Sequence, residues 1–184
     1  MSSKQFFDEV ASQWDVMRKH FFSEAVREKA ISAAKVKVGE VAADIGAGTG
    51  FVTEGLVQKG LKVIAVDQSE EMLKEMKNKF RGVSTIDYRI GIAEKLPIDD
   101  NAVDYAFANM FLHHVENPLV AVKEMRRVLK RGGKLVITDM DEHQFEFLRT
   151  EQHDRWLGFK REDVKRWFLE AGLKDVVVGG MGET

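Results

Sequence analysis

The sequence predicts an α/β fold: a doubly wound, mainly parallel sheet with helices on both faces. Three observations predict it. From Val41 onward, short apolar runs alternate with helical periodicity across short connections. A glycine-rich turn, Asp44-Ile45-Gly46-Ala47-Gly48-Thr49-Gly50, joins the first of those runs to the helix after it. The next strand then ends on a carboxylate, Asp67. Strand, tight turn, helix and a strand ending in an acid make half of a nucleotide-binding α/β unit.

At 184 residues the chain is read as one domain with one substantial core. Residues 4–34 form two amphipathic helices, with Phe6, Phe7, Val10, Trp14 and Met17, then Phe22, Val26 and Ala30, at three- and four-residue steps. They make an N-terminal helical cap over residues 1–38. Strands are expected at 41–45, 61–66, 84–90, 103–108, 134–139 and 174–178. Helices fill the gaps at 51–59, 69–80, 118–130 and 160–171. Ser69 caps the second of these, whose apolar stripe is Met72, Leu73 and Met76. Lys130-Arg131-Gly132-Gly133 ends the third, with cations at its C-terminus and glycines to turn the chain. Residues 140–159 break the rhythm by mixing aromatic and titratable side chains, and are read as a substrate-side lid with a helix at 142–152.

Glycines suit the turn because side chains would block a ligand lying against the backbone, and because φ > 0 is open to them. The helix after it offers free N–H groups. Asp67 would accept hydrogen bonds from ribose hydroxyls, so a ribose-bearing cofactor is expected. The spacing disfavours a dinucleotide. A G-x-G-x-x-G fingerprint from Gly46 needs Gly or Ala at position 51, where Phe51 stands. Asp44, beneath the loop, would repel a pyrophosphate and attract an ammonium and a sulfonium.

This D-x-G-x-G-x-G segment resembles motif I of the class I S-adenosylmethionine-dependent methyltransferases, which have a Rossmann-like sheet. The resemblance implies that Asp44 faces the amino group of the methionine moiety and that the backbone of Gly46, Ala47, Gly48 and Gly50 lies against the cofactor. Val66-Asp67-Gln68-Ser69-Glu70-Glu71-Met72-Leu73 resembles the D-x-S-x-x-M-L of the ubiquinone/menaquinone C-methyltransferase branch. There the acid binds ribose, and the residues matching Gln68 and Met72 pack near adenine. Gly91-Ile92-Ala93-Glu94-Lys95-Leu96-Pro97 is similar to that branch's G-D-A-E-x-L-P, with Ile92 in place of the Asp that accepts from the adenine amino group. Ile92 still offers a backbone N–H and covers the adenine face, and losing one polar contact costs about 0.5–1.5 kcal/mol.

Asp104 to Val115 resembles the fourth strand and its exit loop, with Asn109 and Met110 on the cofactor side. Lys123 to Gly133 matches E-x-x-R-V-L-K-P-G-G, with Arg131 replacing proline. Phe7 to Asp15 resembles F-D-x-x-A-x-x-Y-D, which places Trp14 over the methionine end and Arg18 near its carboxylate; Trp14 as helix-packing core is the alternative. The family usually closes its sheet with a seventh, antiparallel strand. Only Gly179 to Thr184 follows the sixth, so that strand is expected to be missing from this chain.

Net charge −2 and a pI near 6.2 give no electrostatic footprint for nucleic acid. The missing Asn/Asp-Pro-Pro-aromatic after the fourth strand argues against a nucleic-acid amino-methyltransferase. No run is long enough for a membrane span and no signal peptide opens the chain, so the cytoplasm is the expected location. Zero cysteines exclude disulfides and thiolate metal sites.

In-line methyl transfer needs orientation more than a universal base. Catalytic candidates are His113, His114 and His143, with His153 a further imidazole; a structural role competes for the pair His113-His114. Asp139, Asp141, His143 and His153 cluster in sequence, but their spacing matches no metal motif, so no metal ligands are assigned. Phe111, Phe145, Trp156 and Phe159 favour an apolar or aromatic small-molecule acceptor. The acceptor atom and the oligomeric state stay open. A non-catalytic S-adenosylmethionine-binding sensor or scaffold is the competing reading.

Overall fold

The computed structural model describes residues 24–139 and 159–178. Most of the expected N-terminal cap, with Trp14 and Arg18, lies outside them, as do Asp141, His143, Phe145, His153 and Trp156 of the lid.

Helix α1 (Glu24–Ala34) leads into β1 (Val41–Ile45), α2 (Phe51–Gln58), β2 (Lys62–Asp67), α3 (Glu70–Lys79) and β3 (Ile86–Ile90). The chain then forms β4 (Val103–Asn109), a 3-10 turn (Leu112–His114), α4 (Pro118–Val128), β5 (Leu129–Thr138) and α5 (Arg161–Glu170). The strands make one parallel sheet in the order β3-β2-β1-β4-β5. Chain progression runs outward from β1 to β3 and then reverses, from β4 to β5. The reversal point, between β1 and β4, is where open α/β sheets leave a crevice at their carboxyl ends.

Period-two alternation puts the two faces of each strand into different cores. Ala42, Tyr105 and Phe107 meet Ile31, Leu56, Leu73 and Met76 from α1, α2 and α3. Ala43, Ala106 and Ala108 meet Leu112, Ala121 and Met125 on the α4 side, and Trp167 of α5 packs against the same cluster. The small residues Ala42, Ala43, Ala65 and Ala106 are fully buried, which lets helices sit close to the sheet. Ser69 caps α3 as expected, its Oγ accepting from Met72 N at 3.2 Å. Glu70 and Glu71 in the first turn, and Lys77 and Lys79 in the last, complement the helix dipole.

Most element bounds fall within two residues of the sequence reading, and two segments differ by more. Strand β5 begins at Leu129 rather than 134, because Leu129 pairs with Val103 before the ladder resumes at Tyr105 with Lys134. Residues 130–133 bulge out between these pairs, with Gly132 at φ 81, so the glycines interrupt a strand instead of ending a helix. The expected sixth strand at 174–178 is not a strand: the segment has no ladder, Asp175 sits at φ 53 and Val177 is 90% exposed. An apolar run becomes a strand only where a neighbouring edge accepts its hydrogen bonds. Among the described residues the sheet has five strands.

Candidate functional site

The glycine turn is tied down from below. Gly46 N and Ala47 N both donate to Val66 O, at 2.9 and 3.0 Å, so the end of β2 sets the loop's height. Gly46 has φ 68, and a Cβ there would lie 2.1 Å from Cδ1 of Phe111. Gly50, at φ 97, is the left-handed N-cap of α2, and a Cβ there would meet Phe80 at 2.5 Å. No side chain caps α2. Gly50 thus stands behind the turn and lines neither of the two clefts described below, whereas Gly46, Ala47 and Gly48 line the first.

Two carboxylates organise the floor. Asp67, at the end of β2, accepts from Gly48 N through Oδ2 and from Ser69 N through Oδ1, each at 2.9 Å. It joins the turn to the start of α3 and faces both clefts described below. Asp44 is 2% exposed and its Oδ2 accepts from Thr53 Oγ1 at 2.7 Å. Burial pushes its carboxyl up to about 7, against the lowering pull of the Thr53 hydrogen bonds, with the nearby Asp67 adding to the rise.

The opposite wall comes from the exit of β4. Thr138 Oγ1 donates to Asn109 Oδ1. Met110 N donates to Thr138 O at 2.7 Å, and Met110 takes φ 48, a conformation non-glycine residues rarely adopt. That turn lays the Phe111 ring over Gly46 and leads into the 3-10 turn carrying His113 and His114.

Two adjoining clefts open here. The first is walled by Asp44, Phe51, Val52, Met72, Asn109 and Met110, the second by Gly91, Ile92, Ala93, Glu94, Val115 and Glu116. Gly46, Asp67, Gln68, Phe111 and His114 face both. The wall of the second is held from behind. Glu124 Oε2 accepts from Leu96 N at 2.8 Å, and Arg127 donates to Leu96 O at 3.2 Å while pairing with Glu124 and Asp100. The Arg127 hydrogen bond holds the Glu124 carboxyl below its ordinary range, despite partial burial.

His114 lines both clefts, but His113 lines neither. His113 Nδ1 lies 2.7 Å from Asp139 Oδ1, and its backbone N donates to Asp139 Oδ2 at 3.2 Å. Asp139, grouped by sequence with Asp141 and two histidines, is therefore a histidine partner. Among the described residues no cluster of three or more His, Cys, Asp or Glu is placed to hold a metal. Phe159 is also reassigned: it is buried against Trp167 at 5.4 Å between ring centroids, in the core beside α5 rather than in a cleft wall. Val52 and Glu116 were not singled out by sequence, which gave no signal beyond their nearness to motifs.

The chemistry of this donor set fits a cationic nucleoside. A buried acid lies at or one residue before the end of each of two neighbouring strands, and the turn after the first leaves no room for a Cβ at Gly46.

Comparison with known proteins agrees. The methyltransferase domain family matches residues 43–137. The chain is 38% identical over 136 residues to a demethylmenaquinone methyltransferase of Paenarthrobacter aurescens, covering 72% of this chain and 53% of that protein. It is 30% identical over 181 residues to the same-named protein of Staphylococcus carnosus, covering 83% of this chain and 75% of that one. The chain spans about half the length of the first of these relatives. A crystal structure of an S-adenosylmethionine-dependent methyltransferase from Aquifex aeolicus superposes with a TM-score of 0.68 at 26% identity, covering 84% of this chain and 81% of that chain. Turn, acids, sheet order and these matches together place the chain in the methyltransferase domain family, within the menaquinone-like branch of the class I S-adenosylmethionine-dependent methyltransferases.

Proposed function

We propose that this chain transfers a methyl group from S-adenosylmethionine to a small-molecule acceptor by in-line displacement. The observation that supports this most is the pair of adjoining clefts that share Gly46, Asp67, Gln68, Phe111 and His114. An extended nucleoside sulfonium has adenine at one end, a methionine chain at the other, and ribose and sulfur between. The cleft bounded by Ile92, Ala93 and Glu94 takes the adenine, with Ile92 covering its face. Asp67, at the shared centre, takes the ribose hydroxyls, and Gln68 and Met72 pack beside them. Asp44 takes the ammonium of the methionine chain in the other cleft, beside Asn109 and Met110.

When bound, the cofactor supplies a methyl group on a good leaving group, and the chain's task is orientation and exclusion of water. The shared centre is then the methyl-transfer point, and Phe111 and His114 face it. His114 is the one imidazole on the walls of the two clefts among the described residues. Both relatives named above are demethylmenaquinone methyltransferases, so a reduced naphthoquinone is the first acceptor to test.

Calorimetric titration should show binding of S-adenosylmethionine and none of NAD. Incubation with methyl-labelled cofactor and a reduced naphthoquinone, then with metabolite pools, should move label into a small molecule. Cofactor binding with no label transferred to any pool would leave a binding module in place of an enzyme.

A further inference from the structure

We propose that Asp139 and His113 are positioning residues that fix His114 as the proton acceptor for the methylated atom. The inference rests on the methyl-transfer reading above and deepens it. It assigns an acceptor class, molecules whose attacking atom carries a proton that must leave, such as a phenol, a quinol or a protonated amine.

The 3-10 turn at Leu112–His114 is short, and its two imidazoles point to different places. His114 faces both clefts at their shared centre, while His113 points to the end of β5. Asp139 grips His113 twice, through the ring at 2.7 Å and through the backbone N–H at 3.2 Å. Both groups are nearly withdrawn from solvent, at 6% and 8% side-chain exposure. The backbone N–H can only donate, and a carboxylate accepts through both oxygens. The ring contact is therefore a donation from Nδ1–H, which fixes the tautomer and the ring plane of His113.

His113 passes that constraint on by packing. Its ring centroid lies 4.2 Å from that of His114, tilted by 45°. His114 N also donates to Phe111 O at 2.9 Å, tying its backbone to the aromatic residue over the glycine turn. The His114 ring thus has the Asp139-held ring of His113 packed against it, and its backbone is tied to Phe111. Of the described histidines, His114 alone meets the geometric requirement for a base, access to the place where the acceptor's proton must go.

The step balances without a further reagent. A bond forms between the acceptor atom and the methyl carbon as the methyl–sulfur bond breaks, and the pair of that bond stays on the departing neutral sulfur. The acceptor's proton passes to an imidazole nitrogen of His114 and is later lost to water.

The test has two arms. The first needs no acceptor: long-range 15N–1H spectra of the histidine rings, in wild type and in Asp139→Asn. Wild type should show His113 with its proton on Nδ1. In Asp139→Asn a single amide oxygen cannot satisfy both His113 donors, so the resonances of the His113 and His114 rings should both move. An unmoved His114 ring would overturn the positioning role whether or not any acceptor is ever found.

The second arm uses a reduced naphthoquinone, or the acceptor that the labelled-methyl screen returns. His114→Asn should lower kcat by about a hundredfold or more, within the range of a lost general base. Asp139→Asn should lower kcat about tenfold with acceptor KM unchanged, and Asp139→Glu should recover part of that loss. S-adenosylhomocysteine should bind both Asp139 variants within about twofold of wild type, because neither Asp139 nor His113 lines either cleft. Full kcat in His114→Asn, or loss of S-adenosylhomocysteine binding in Asp139→Asn, would show the pair to be structural and sink the proposal.

Discussion

At the scale of single residues, the site is made by positions where a side chain cannot be added or removed without consequence. Gly46 combines a left-handed φ of 68 with the Phe111 ring 2.1 Å from where a Cβ would be. Gly46→Ala must therefore bear backbone strain of about 1–3 kcal/mol and displace Phe111 from the cleft wall. S-adenosylmethionine affinity should fall about tenfold or more by calorimetry. Gly82→Ala is the control, because Gly82 shares the left-handed φ, at 83, with nothing within 4 Å of its added Cβ. Equal losses in the two variants would show that strain alone matters and that the Phe111 contact does not. Residue identity made the turn, Asp44 and Asp67 readable, since φ > 0 and buried acids select few residue types. It did not separate His113 from His114, because which imidazole reaches the cleft depends on a 3-10 turn and on Asp139, 26 residues further along the chain.

At the scale of elements, the E-x-x-R pattern of α4 gains a physical meaning. Glu124 and Arg127 share one helix face at i, i+3 and together clamp the backbone N–H and C=O of Leu96. This fixes the segment that walls the second cleft, including Ile92, Ala93 and Glu94. Arg127→Met removes the donors to Leu96 O, Glu124 and Asp100. It should cost about 1–2 kcal/mol of stability in chemical denaturation and speed amide exchange at Leu96. Cofactor affinity should drop about fivefold, the equivalent of about 1 kcal/mol. Unchanged Leu96 exchange would mean that the clamp holds nothing. Helix and strand types were legible from periodicity, and failures fell where long-range pairing decides. Leu129 reads as a helix end until Val103 claims it, and 174–178 reads as a strand until no edge receives it.

At the scale of the whole molecule, topology couples protonation of a buried carboxyl to global stability. The parallel order places Asp44 near the carboxyl end of β1, between Ala65 of β2 and Phe107 of β4, where water is excluded. Burial raises its carboxyl from 3.8 to about 7, so the folded protein without cofactor holds a proton there that the unfolded chain releases. Between about pH 4 and 7 the native state then binds more protons than the unfolded state, and stability falls as pH rises through that window. Above pH 7 the contribution levels off. On the proposed placement of the cofactor ammonium beside Asp44, binding should favour the charged carboxylate, expel the proton and be weakened by acid. Only about a tenth of the protein carries the charged form at pH 6, so apparent affinity there should be about tenfold weaker than near pH 7.5. Asp44→Asn isolates this effect from every other titrating group, because the amide still accepts from Thr53 Oγ1 but cannot ionise. The difference in unfolding free energy between wild type and Asp44→Asn should change steadily from pH 4 to 7 without cofactor, with wild type losing ground. The pH dependence of S-adenosylmethionine affinity over pH 6–7.5 should flatten in the variant. Parallel affinity profiles for the two proteins would show that Asp44 does not meet the ammonium, and the methionine end would then have to be placed against other residues of the first cleft.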